Sequence, residues 1–306
     1  MTASLAILYE HPAWFEPLFA ALDRRGIDYV KVHSGGHRFD PAGSSPPARL
    51  IFNRVAMSSF LRDPDHSIFY TMALLDHWRG AGATIINGPE VMAIDASKAR
   101  QLSLIERLGF ATPRTRVVHR ARDVGAAAKD IGFPLLVKAN IGGSGAGIMR
   151  FSSMLELEQA VAGGLLPVSV DNVLLVQAYA SPRGGKITRV ETLDGHYLYA
   201  IDISVDDAGF DLCPADACQI PGRSVTMTAA QPTPEQIAAS EAIIQAAGIG
   251  VGGVEFVIDE ADGVTRFYDI NGLSNFVAKP IDVLGWDPHE RLVDHLEALI
   301  QERVTA

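Results

Sequence analysis

The chain has 306 residues, 48% of them hydrophobic and 20% charged, and a formal net charge of −10. That apolar fraction excludes a disordered chain, and the length suffices for two or three packed units. The acidic balance excludes a general nucleic-acid binder, which needs a basic surface to displace counterions from phosphate. Two cysteines, Cys213 and Cys218, exclude a disulfide scaffold, and their C-x4-C spacing lacks the further ligands of a zinc site. No basic-then-apolar leader opens the chain, and no window approaches the roughly 20 apolar residues of a membrane span. A cytoplasmic protein with neither nucleic-acid nor membrane partner is therefore expected.

Residues 5–9 read as a short buried strand and 14–25 as an amphipathic helix stopped by Gly26. Residues 27–32 and 50–53 read as two more strands, separated by a loop rich in Gly, Pro and Ser. Residues 69–79 look helical and 84–86 extended. This alternation predicts a small parallel α/β unit, closed by the turn Asn87-Gly88-Pro89. Asp95 or Ser97 then caps a helix running to Leu108. A strand at 114–118, a helix at 122–131, strands at 135–139 and 148–151 and a helix at 154–162 predict a second, α+β unit. Beyond Pro167 strands dominate, at 173–177, 186–193 and 197–204. A helix at 234–247, strands at 251–259 and 264–270 and a last helix at 287–303 complete the chain. The expected division is 1–92, 93–170 and 171–306.

Lys138 ends the run Leu135-Leu-Val-Lys138, which otherwise reads as a buried strand. A buried lysine needs an anionic partner or a shifted pKa. Four residues on comes Gly142-Gly-Ser-Gly-Ala-Gly147, whose glycines let several N–H groups converge on one anion. Together they predict a phosphate-binding flap, and not a Walker A loop, since no Gly-Lys-Ser/Thr follows. Gly248-Ile-Gly-Val-Gly-Gly253 fits the spacing of a dinucleotide fingerprint. Its order is helix, glycines, strand, the reverse of that motif, so a helix end running into a strand is expected.

The pair of strands at 254–270 carries the strongest signal. The turn Glu260-Ala-Asp-Gly263 suggests pairing symmetric about Asp262. That register sets Glu255 opposite Asp269, with Asn271 on the same face. Val254, Phe256, Ile258, Tyr268 and Ile270 are then expected on the other face, against the core. Facing carboxylates repel, and a divalent cation between them removes the conflict. Glu, Asp and an Asn carbonyl are hard oxygen donors suited to Mg2+ or Mn2+ with phosphate oxygens completing the shell.

These residues resemble the ATP-grasp superfamily, in particular its RimK-like carboxylate–amine ligases, over about residues 90–280. The resemblance implies a mixed α/β and α+β architecture: an ATP-grasp fold preceded by a Rossmann-like α/β domain. Lys98 and Lys138 match the two phosphate-contacting lysines. Gly142, Gly143, Ser144, Gly145 and Gly147 match the flexible flap. Gln177, Ala178 and Tyr179 match the hinge whose backbone holds adenine. Arg189 matches an arginine of the family pattern, and Glu255, Asp269 and Asn271 match its metal-binding acid, acid and asparagine. Three departures stand out. Ala178 occupies a position often held by glutamate, Ile187 one often held by aspartate, and Asp269 replaces the commoner glutamate. Asn275 falls in the stretch that lines the acceptor pocket of similar ligases. Arg54 lies outside the resemblance: it follows a strand of the α/β unit, at the end where such units bind ligands, and is a candidate partner for a substrate carboxylate.

The resemblance implies an ATP- and Mg2+-dependent ligase that joins a carboxylate to an amine through an acyl phosphate. A phosphotransferase on the same fold and a non-catalytic ATP-binding module are the alternatives. An amino acid or short peptide is the expected substrate class. Similar ligases are often dimers or tetramers, which leaves a homo-oligomer open.

Overall fold

A computed structural model describes residues 3–43, 45–142, 147–204, 226–273 and 275–304. The first sheet is built from β1 (Ala3–Tyr9), β2 (Tyr29–His33), β3 (Ala48–Arg54) and β4 (Thr84–Ile86), all parallel, in the order β2-β1-β3-β4. Helices α1 (Pro12–Arg24), α2 (Ile68–Gly80) and α3 (Pro89–Asp95) accompany it. The period-2 rule sorts β1 cleanly. Leu5 and Ile7 enter one core with Phe15 and Leu22 of α1, while Ala6 and Leu8 enter another with Leu74 and Trp78 of α2. Covered on both faces, the strands read as unbroken apolar runs.

Helix α4 (Lys98–Arg107) follows, started by Ser97, whose Oγ accepts the Arg100 N–H. The central sheet consists of β5 (Thr115–Val118), β6 (Leu135–Ala139), β7 (Ile148–Phe151) and β8 (Leu174–Ala178), with α5 (Val124–Ile131) and α6 (Met154–Ala162). Its order is β5-β8-β6-β7, antiparallel throughout. The third sheet holds β9 (Lys186–Leu193), β10 (His196–Ser204), β11 (Met227–Ala229), β12 (Val251–Ile258) and β13 (Thr265–Asn271), ordered β11-β10-β9-β12-β13. Helix α7 (Pro234–Ala246) covers it, opened by a capping box between Thr233 and Gln236. Helices α8 (Pro280–Leu284) and α9 (Pro288–Val304) close the chain. No helix among the described residues is long and apolar enough to cross a membrane.

Two edges of the expected division are corrected. Strand β8, assigned by sequence to the C-terminal unit, is hydrogen-bonded between β5 and β6. Helix α4, assigned to the central unit, buries Leu104 and Ile105 in a core shared with Val190, Val254 and Ile270 of the third sheet. Pairing and packing across long stretches of chain decide both, and local pattern does not carry them.

The glycine run 248–253 is a helix end entering a strand, as expected. Gly248 has φ +68°, and β12 begins at Val251. The inner glycines serve close approach. A Cβ on Gly252 would lie 2.5 Å from the Asn271 carbonyl oxygen, and one on Gly253 2.9 Å from the Glu191 carboxyl carbon.

The first and third sheets are joined at Asn87. Its amide Nδ2 donates to the carbonyls of Val251 and Gly272, each at 2.7 Å. Its Oδ1 accepts the N–H groups of Gly250 at 3.0 Å and Val251 at 3.3 Å. Asn87 is 2% exposed and sits at φ +57°, a conformation asparagine tolerates better than most residues. Asn87→Ala removes the partners of four backbone groups at once. Buried unsatisfied groups cost about 1–3 kcal/mol each before relaxation, so a loss of at least about 3 kcal/mol is expected. Urea unfolding of the two proteins measures it, and a loss under about 1 kcal/mol would show that the join does not depend on Asn87.

Candidate active site

The β12–β13 pair sets Glu255 opposite Asp269 and Gly253 opposite Asn271, the predicted register at this end. Between Glu255 and Phe256 the register shifts, so Phe256 faces Phe267. This bulge corrects the expected face of Tyr268. Phe267, not Tyr268, packs with Val254, Phe256 and Ile270 in the core. Tyr268 turns to the same side as the carboxylates, and its ring centroid lies 5.2 Å from the Lys138 ammonium.

Four elements converge on the carboxylate pair. Asn271 Nδ2 donates to Glu255 Oε1 at 3.3 Å. Arg189 is the neighbour of Glu255 across β9. Its Nη1 reaches Glu255 Oε1 at 3.5 Å and its Nε donates to Glu191 Oε1 at 2.5 Å. Lys98 Nζ, from the first turn of α4, bonds Asp269 Oδ1. One turn along, Gln101 exchanges two hydrogen bonds with the Ile270 backbone, at 2.9 and 3.1 Å, which clamps α4 to the strand that carries Asp269. Asp95, just before α4, accepts the Gly272 N–H at 2.8 Å.

The electrostatics follow from burial. Burial, and then the facing Asp269, push the Glu255 carboxyl up to about 7. Burial also lifts Asp95 to about 7. Burial lowers the Lys138 ammonium to about 8, with Lys98 adding to the effect. For Lys98 burial works against the charge, but Asp269, Glu255 and Asp95 together outweigh it and the pKa rises. Arg189 is likewise held above its ordinary value, because Glu191 and Glu255 together outweigh its burial.

Between the central and third sheets lies a cleft lined by Pro113, Leu136, Ile148, Tyr179, Ile187, Val257 and Tyr268, with Lys138 and Ala178 at its wall. Its lining is mostly apolar, which suits a flat heterocycle. Gln177 contributes to it, though its side chain is tied back to Thr115 Oγ1 at 2.9 Å. Gly147 flanks the cleft strand at φ +72°, its carbonyl accepting the Ala139 N–H at 2.8 Å. Gly142 and Gly147 are the described ends of the expected flap. Gly143, Ser144 and Gly145 lie outside the described residues, as do Cys213 and Cys218.

Arg54 ends β3 and is 4% exposed. Its Nη2 reaches Asn275 Oδ1 at 3.5 Å, and its Nη1 has no partner among the described residues. Burial lowers its pKa to about 10, with Glu191 and Arg189 the leading charges nearby. Thus Arg54, Asn275, Arg189, Glu255, Asp269, Asn271, Lys98 and Lys138 gather around one centre. Sequence reasoning missed Glu191, Asp95, Gln101 and Tyr268. Glu191 was within reach, since it shares the strand face of Arg189 at a spacing of two. Tyr268 was not, because the bulge that turns it leaves no sequence mark.

Two carboxylates with an amide beside them form a donor set for a hard divalent cation whose shell is completed by phosphate and water. Among the described residues no group of three His, Cys, Asp or Glu forms a self-sufficient metal site.

No protein-family model matches the chain. In sequence it is similar to a D-alanine–D-alanine ligase of Cupriavidus necator, 25% identical over 219 residues, which are 65% of this chain and 61% of that ligase. It is also similar to a probable alpha-L-glutamate ligase of a Marinomonas species, 25% identical over 134 residues, 44% of each chain. The similarity thus spans less than two thirds of these relatives' length. In structure it is similar to a D-cycloserine synthetase at TM-score 0.71 and 18% identity, over 97% of this chain and 99% of that one. A RimK domain ATP-grasp protein from Sphaerobacter thermophilus aligns at TM-score 0.70 and 17% identity, over 95% and 98%. The ATP-grasp ligase PsnB, complexed with a minimal precursor, Mg and ADP, aligns at TM-score 0.69 and 17% identity, over 97% of each. Covered almost end to end against three such structures, the chain has the ATP-grasp fold.

Proposed function

We propose that this protein is an ADP-forming, ATP-dependent carboxylate–amine ligase. The observation that carries the reading is the pair Glu255 and Asp269, ringed by Lys98 and Lys138 at the mouth of an apolar cleft. Adenine enters the cleft, and Lys98, Lys138 and the 142–147 flap meet the phosphates. Glu255, Asp269 and Asn271 would hold Mg2+ (or Mn2+), which when bound neutralises charge on the β- and γ-phosphates. The substrate carboxylate attacks the γ-phosphate, giving an acyl phosphate and ADP, and an amine then displaces phosphate to form the amide. The chain's own groups act by position and charge, with Arg189 beside the reacting centre and Arg54 and Asn275 on the substrate side. An amino acid or short peptide is the proposed substrate class, in keeping with the names of the relatives. The cytoplasm, where ATP and such metabolites are plentiful, is the proposed location.

The test is ADP release from pools of amino acids and short peptides, with hydroxylamine as a surrogate amine. A ligase traps the acyl phosphate as a hydroxamate. A stable phosphorylated product points to a phosphotransferase instead, and binding without turnover to a nucleotide-binding module. Asp269→Asn, which keeps size and removes one charge, should lower Mg2+-dependent turnover at least ~100-fold, roughly 3 kcal/mol of transition-state stabilisation. Its melting temperature without metal should change little, because the relieved repulsion with Glu255 is offset by the ion pair lost to Lys98. Unchanged turnover and Mg2+ dependence would remove the metal from this face.

Lys98 makes a second prediction possible. Its ammonium occupies Asp269 Oδ1, so it competes with any cation for that oxygen. Lys98→Met should therefore bind Mn2+ alone several-fold more tightly than wild type and bind ATP more weakly. Titration followed by the electron-spin signal of free Mn2+ gives the first value and calorimetry the second. Equal Mn2+ affinity in both proteins would show that Lys98 does not guard the site.

A further inference from the structure

We infer that Arg54 anchors a substrate carboxylate that takes no part in the reaction, so at least one substrate carries such a spectator group. The inference rests on the ligase reading and adds a requirement to it. Arg54 stands at the carboxyl end of β3, paired with Tyr9 at the end of β1. In the order β2-β1-β3-β4, the chain leaves β1 to one side and returns to the other, so the β1/β3 gap is the point where the sheet reverses its growth. Open parallel sheets bind ligands outside the strand ends at such a point.

The charges around Arg54 are already committed elsewhere. Glu191 accepts from Arg189 Nε at 2.5 Å, and Arg189 also reaches Glu255. Asp95 takes the Gly272 amide. His289, from α9, is bonded to Asp287 at 2.7 Å. The Tyr199 hydroxyl, from β10, accepts the Val277 N–H at 3.0 Å. Arg54 is left with a neutral amide oxygen at 3.5 Å and an open Nη1, at 4% exposure. A buried guanidinium with acids nearby but no carboxylate hydrogen-bonded to it is costly, and a carboxylate arriving in bidentate fashion completes it. Arg189 is a neighbouring charge of Arg54 and itself reaches Glu255 at 3.5 Å, so a group held on Arg54 is the far end of a molecule whose reacting end meets the phosphate. The spectator carboxylate belongs either to the amine substrate, as in an α-amino acid, or to the acid substrate, as in a dicarboxylate.

The experiment uses thermal melting of the full chain with ADP and Mg2+ present. The probes are L- and D-alanine against their amides, and succinate against its monoamide. Wild type should be stabilised by a free-carboxylate probe and not by its amide, and the pair that discriminates identifies the source. Asn275→Asp puts an internal carboxylate where Arg54 now meets an amide. It should melt above wild type without probe and bind the probe at least tenfold more weakly. Arg54→Met should lose the response altogether. The inference is overturned if no free carboxylate stabilises wild type, if probes and amides act alike, if Asn275→Asp melts lower or responds as wild type does, or if Arg54→Met keeps the response. ADP–Mg2+ calorimetry on the same proteins separates the two claims. Absent nucleotide binding in wild type sinks the ligase reading, while a normal nucleotide isotherm with a failed probe test sinks only the anchor.

Discussion

Two carboxylates held face to face across one strand pair are the constraint on which the rest of the site depends. At the roughly 5 Å typical of side chains facing across a strand pair, and an effective dielectric near 20, two charges repel by about 3 kcal/mol. Burial and the facing Asp269 together raise the Glu255 carboxyl above the usual carboxylate range, which eases the repulsion. The fold answers with cations drawn from three different elements: Lys98 at the start of α4, Arg189 on β9 and Lys138 on β6. None of these is close to Glu255 in sequence, so the centre exists only once the third sheet, α4 and the central sheet are together.

Asn140 ties the two lysines to one another. It follows β6 by one residue and Lys138 by two. Its Oδ1 accepts the Ala99 N–H at 2.9 Å, and its carbonyl accepts the Lys98 N–H at 3.3 Å. Its Nδ2 donates to Ser97 Oγ at 3.1 Å and Asp171 at 2.6 Å. The start of α4 is thereby stitched to the end of the strand that carries Lys138. The separation of the two ammonium groups is set by a short buried polar network and not by a flexible loop.

What was legible in the sequence was local. The turn at 260–263 and the period-2 pattern located the Glu255–Asp269 pairing, because near-neighbour strands inherit their register from the turn between them. The burial of Lys138 was legible too, as a charge closing an apolar run. The bulge at Phe256 was not, since Phe267 and Tyr268 are both aromatic and either could face the core. The placement of β8 in the central sheet and of α4 on the third sheet depends on contacts across long stretches of chain, which periodicity does not encode. Asn87 read as a plain turn residue, and its four bonds to the third sheet become visible only when the two units meet.

The same join decides where Arg54 stands. The Asn53 amide donates to the Asn87 carbonyl at 2.9 Å, and its Oδ1 accepts the Val55 N–H at 3.2 Å, so the residues on either side of Arg54 are bound to the Asn87 corner. The first sheet thus delivers one arginine beside the charges Arg189 and Glu191 of the third. This gives the centre two sides of different character. On the side proposed for the nucleotide the cations are lysines, compact point charges on flexible stems, suited to leaving Asp269 for a phosphate. On the other side they are arginines, planar and locked between strands at 2% and 4% exposure. A lysine suits a partner that comes and goes with each turnover and changes its charge on the way. A locked guanidinium suits a group that must arrive in one orientation and stay unchanged while the bond is made beside it.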